Sequence, residues 1–71
     1  MTYREEVVPV FLYTVAVGFT THRPVRPDER THVIKFWAES DHDARITAAH
    51  WIDARPGVEM VTRTTILEVE L

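Results

Sequence analysis

Apolar positions in this 71-residue chain fall into three extended runs and one helical run. From Val7 to Phe19 the sequence VVPVFLYTVAVGF is dense in β-branched and aromatic residues, which suit a pleated strand. Alternation puts Val8, Val10, Leu12, Thr14 and Ala16 on one side and Phe11, Tyr13, Val15, Val17 and Phe19 on the other. Both sides are mostly apolar, the signature of a central strand covered on both faces. Pro9 cannot donate to a ladder, so it belongs at the start of this strand or in a bulge. The pattern predicts a strand over residues 7–19, then a long loop over 20–30, where TTHRPVRPDER contains two prolines and no period. A second strand is predicted over 31–39. Val33, Lys35 and Trp37 share one of its faces, His32, Ile34, Phe36 and Ala38 the other, and Lys35 marks its own face as the open one.

Ser40 opens the helical run. Ser40-x-x-Asp43 has the form of a capping box with aspartate in place of glutamate, and Asp41 and Asp43 suit the positive end of a helix dipole. The helix is predicted over 41–55, ending at Pro56-Gly57. Ala44, Thr47, Ala48, Trp51, Ile52 and Arg55 cluster on one side at 100° per residue. The alanines would allow close approach to a sheet, with Trp51 and Ile52 filling the core. A third strand is predicted over 58–70, where Val61, Arg63, Thr65, Leu67 and Val69 alternate with Met60, Thr62, Thr64, Ile66 and Glu68.

The order β-β-α-β defines one small α+β domain. The first two strands form a hairpin, and a right-handed crossover that skips one position brings the third strand beside the first. The expected sheet is fully antiparallel in the order 2-1-3, with the helix on one face. Lys35 and Arg63 mark the other face as open, yet Val33, Trp37, Val61 and Leu67 share it. That combination is too apolar for a free monomer. Small chains commonly resolve it by oligomerising, so a homodimer packed sheet on sheet is expected, or a surface kept for another protein. Internal cover by the C-terminal residues or the long loop is the alternative. The expected interface residues are Trp37, Val33, Lys35, Arg63, Val61 and Leu67, with Trp37 as anchor. A one-residue register slip would instead bury Trp37 in the core.

Composition narrows the chemistry. A chain of this length buries only about 60% of its unfolded surface, so a lone core is marginal. It has no cysteine, which removes disulfides and thiolate sites and suits a cytoplasmic protein. The net charge of −3 argues against binding driven by bulk positive charge, and no run is long enough to span a membrane. His42 and His50 are too far apart along a helix to share an ion, and His22 and His32 lie elsewhere. No metal or cofactor is therefore expected. Asp41, His42 and Asp43 form the one dense titratable cluster, and helix capping accounts for it. With one serine and two glycines, neither a nucleophile nor a phosphate-cradling loop is in prospect, and a non-enzymatic role is expected. Arg23, Arg26 and Arg30 in the hairpin loop offer the alternative of nucleic-acid contact, diluted by Asp28 and Glu29.

Seven arginines against a single lysine, with no asparagine or glutamine, follow the codon bias of a GC-rich genome. The stretch Phe36–Ala49 (FWAESDHDARITAA) resembles a pattern in small α+β accessory proteins of actinobacteriophages and actinobacteria. There a strand ends in an Ala-x-Ser step and a helix follows with alanine every four residues, the places held here by Ala44 and Ala48. The resemblance covers residues 33–55 and implies no catalytic residues. It implies a protein that binds and modulates a host protein.

Overall fold

A computed structural model describes residues 8–22 and 29–71. Four elements follow in order: β1 (Phe11–Thr21), β2 (Glu29–Ala38), α1 (Asp41–Asp53) and β3 (Val58–Glu70). The sheet is antiparallel throughout, in the order β2-β1-β3, and α1 packs on one face. This is the arrangement expected from the sequence.

The element bounds shift for local reasons. β1 begins at Phe11 and not at residue 7. Val8–Val10 lie outside the strand and are exposed, as Pro9 has no N–H to give a ladder. At its other end β1 runs on to Thr21, and β2 begins at Glu29, where β1 residues Phe19 and Thr20 pair with Arg30 and Glu29. The predicted loop therefore loses both ends to the sheet. α1 stops at Asp53 rather than Arg55. Ala54 caps it, and Gly57, at φ 87°, turns the chain into β3.

The start of α1 behaves as a modified capping box. Ser40 Oγ accepts from Asp43 N–H (3.1 Å), while Asp43 Oδ2 accepts from the N–H of Glu39, not of Ser40 (3.3 Å). Asp41 Oδ1 accepts from Tyr13 Oη (2.9 Å), which ties the helix start to β1.

The β1 face that meets the helix is Phe11, Tyr13, Val15, Val17 and Phe19. Tyr13, Val15 and Val17 are buried from it, with Ala38 from β2 and Ala44, Ala48 and Ile52 from α1. Trp51 departs from expectation. It is 64% exposed and contributes nothing to the buried cluster. The helix lies more over β1 and β3 than over β2, so Trp51 projects past the β2 edge. It borders a groove there with Ile34, Lys35, Phe36, Trp37 and Thr47. Ala44, Ala48 and Ile52, at a four-residue spacing, form the whole buried stripe of the helix.

β3 is the irregular strand. Its pairing with β1 shifts register between Thr14 and Val15, between Gly18 and Phe19, and between Thr20 and Thr21. Each shift leaves one extra β3 residue: Leu67, Thr62 and Glu59. Each also reverses the alternation of faces. Val61 is consequently not on the open face with Arg63 and Leu67. It pairs with Phe19 and packs against the core.

Two predictions follow from the core. Ile52→Ala should cost about 2–5 kcal/mol and leave little folded protein. Trp51→Ala should cost about 1 kcal/mol or less, as expected of an exposed position. Urea unfolding followed by circular dichroism compares them; equal losses would put Trp51 in the core.

Burial, then the bond to Asp41 and the negative charges of Asp41 and Asp43, raise the pKa of Tyr13 above the usual value near 10.0. The fold thus favours the neutral phenol. Its stabilisation is complete below the unfolded-state pKa and is lost as pH rises through the folded-state one. The urea midpoint should fall above about pH 10, and Tyr13→Phe should flatten that fall. An identical alkaline profile in the variant would contradict the assignment.

Candidate interaction surface

The face of the sheet away from α1 is assembled from even-numbered β1 residues and their partners. Leu12 lies between Trp37 and Glu70, Thr14 between Lys35 and Glu68, Ala16 between Val33 and Thr65, and Gly18 between Thr31 and Arg63. Trp37 is 64% exposed, Leu67 56% and Val33 53%. Three of the expected interface residues, Trp37, Val33 and Lys35, thus stand in one row on β2. Arg63 and Leu67 face them from β3, and Val61 alone is displaced to the core side.

The charges on this face are paired internally. Lys35 Nζ lies 3.6 Å from Glu70 Oε1, reaching across β1. Glu29 Oε1 accepts from Arg63 Nη2 (2.9 Å) and Nε (3.1 Å) and from Thr62 Oγ1 (3.2 Å). Exposed pairs of this kind contribute little stability, about 0–1 kcal/mol each. Their importance here is that a partner covering the face meets few uncompensated charges, Glu68 being one without an ion pair among the described residues.

The Glu29–Arg63 pair closes over Gly18. A Cβ at that position would lie 2.9 Å from Thr62 Oγ1 and 3.0 Å from both Arg63 Cγ and Glu29 Oε1. Glycine lets the cross-strand pair settle onto the backbone. Ala16 and Gly18, both small, sit beneath a shallow hollow of about 420 Å³. Glu29, Thr31, Arg63, Thr65 and Leu67 wall it. This hollow is not legible in the sequence alone. The small residues of β1 were visible, but their face relative to the helix was open.

The arginines assigned to the hairpin loop divide. Arg23 and Arg26 lie outside the described residues. Arg30 belongs to β2, where it pairs with Phe19 on the helix side. It borders a cleft of about 480 Å³ with His22, His32, Arg55 and Thr21. Arg55 Nη1 donates to His32 Nε2 (3.2 Å), so that ring nitrogen serves as acceptor. This gathering of two arginines and two histidines at the end of the sheet was not foreseen, because it depends on the turn after α1 returning Arg55 to β2.

The titratable cluster at the start of the helix is occupied structurally, with Asp41 on Tyr13 and Asp43 on the backbone. No group of three or more His, Cys, Asp or Glu residues among those described could hold a metal ion. No described helix is long and apolar enough to cross a membrane. No family model, curated protein or solved structure matches the chain.

Proposed function

We propose that this protein is a non-enzymatic interaction module that acts as a homodimer through its open sheet face. The observation that carries this reading is the exposed apolar row of Trp37 and Val33, with Leu67 opposite. Among the described residues seven hydrophobics are buried, three of them alanine, while ten large hydrophobics are exposed. A two-layer domain with that balance gains more from covering its second face than from anything left inside the first. The internally paired charges favour an apolar partner surface, and a second copy presents one. Modulation of a host protein, the occupation implied by the resemblance, would use the dimer's remaining edges and helix.

Molar mass by light scattering tests the reading. The expected mass is twice 8.3 kDa. Trp37→Asp and Leu67→Asp should each weaken the dimer by roughly 2 kcal/mol or more with the circular dichroism spectrum unchanged. Trp51→Asp, beside the β2 edge, should leave the mass intact. Loss of the dimer in Trp51→Asp alone would move the interface to that edge. A wild-type monomer at all concentrations would reject self-association.

The cleft of Arg30, His32, Arg55 and His22 favours a second reading, nucleic-acid contact through phosphates. It predicts binding to a labelled single-stranded oligonucleotide that falls log-linearly with salt. Arg30→Ala with Arg55→Ala should weaken binding and flatten the slope. Absence of binding at low salt would dismiss this reading.

A further inference from the structure

We infer that the two copies stack so that Trp37 of each packs against the Thr31 wall of the hollow over Ala16 and Gly18 of the other. This rests on the homodimer reading above and specifies its geometry. The knob and the hole lie on the same face of one molecule. Trp37 stands level with Leu12, and the hollow is centred between Ala16 and Gly18. They are about five residues apart along β1, roughly 17 Å at strand rise. A two-fold axis lying between the sheets and running across the strands, level with Val15, carries Trp37 to the Thr31 wall of that hollow. One interface then contains the same contact twice, as a closed dimer requires.

The same axis fixes the other contacts. The residues level with Leu12 in one copy face those level with Gly18 in the other. Glu70 therefore meets Arg63 of the second copy, and Trp37 arrives beside its Thr31. The residues level with Thr14 face those level with Ala16, which sets Lys35 near Val33. Leu67, the bulged residue beside the Thr14–Val15 step, meets Leu67 of the second copy close to the axis. One operation thus brings together Glu70 and Arg63, each also paired within its own copy, and the two Leu67 side chains. A two-fold along the strands would instead set Trp37 against Glu70, stacking an indole on a carboxylate and leaving the hollow to small and polar neighbours.

The bulge at Leu67 gains a purpose in this arrangement. It carries an apolar side chain onto the open face between Thr65 and Glu68, where the other β3 residues, paired with the even-numbered β1 positions from Leu12 to Gly18, are polar or charged. Gly18 and Ala16 leave room for the indole of the partner, as larger side chains on the central strand would fill the hole.

Two variants test the geometry, with the solution mass of each measured beside the wild type. Ala16→Phe fills the hollow from within and should weaken dimerisation roughly thirty-fold or more, the scale of losing a central aromatic anchor. Thr31→Phe, at the rim, replaces it if circular dichroism shows Ala16→Phe unfolded. Leu67→Cys supplies the one thiol in a chain that has no cysteine. A short thiol-to-thiol cross-linker should join two Leu67→Cys copies into a covalent dimer. A wild-type dimer that tolerates the filled hollow, or that yields no Leu67→Cys product, would overturn this stacking while leaving the face itself as the interface. A wild-type monomer would overturn the reading beneath it.

Discussion

Everything in this molecule follows from having one helix for a sheet with two faces. A strand paired on both edges and apolar on both sides needs cover above and below. Val15 and Val17 receive it from Ala44, Ala48 and Ile52. Leu12 and Ala16, pointing the other way, receive none from the described residues of the chain. The constraint is stoichiometric, and no adjustment of the helix resolves it. The alanines that bring α1 close to the sheet keep the core thin, so the energy available from the covered face is small.

The two edges of the sheet are treated differently. β3 carries three register shifts, which bend and twist a strand and spoil it as a template for further pairing. β2 pairs with β1 without interruption over ten residues. Its outer edge is flanked by Trp37 and by Trp51, which overhangs it from the helix. The shifts in β3 also redistribute side chains. They send Val61 inward and leave Leu67 on the open face. One irregular strand thereby serves the core and the exposed surface together.

Much of this was legible in the sequence. The order β-β-α-β, the central place of β1 and the open face of β2 follow from period-two patterns and from crossover handedness. The capping of α1 was read from Ser40 and Asp43. What was not legible depends on long-range placement. Bulges add single residues whose positions no alternating pattern reveals, so Val61 was assigned to the wrong face. Trp51 falls near the buried stripe on a helical wheel, but a wheel does not say where the sheet ends. The helix sits toward β3, and Trp51 therefore overhangs an edge. The cleft of Arg30, His32 and Arg55 likewise joins residues from two elements and a turn, and only the assembled fold brings them together.

The central claim is that the open face is covered by a second copy of the chain. The emission of Trp37, isolated by Trp51→Phe, tests it most directly when followed through dilution alongside the solution mass. The account predicts shielded, blue-shifted emission in concentrated solution. On dilution it should shift to that of an indole in water, in step with a fall in mass from twice 8.3 kDa to 8.3 kDa. Water-exposed emission at the highest concentration, or shielded emission from a monomer, would contradict it.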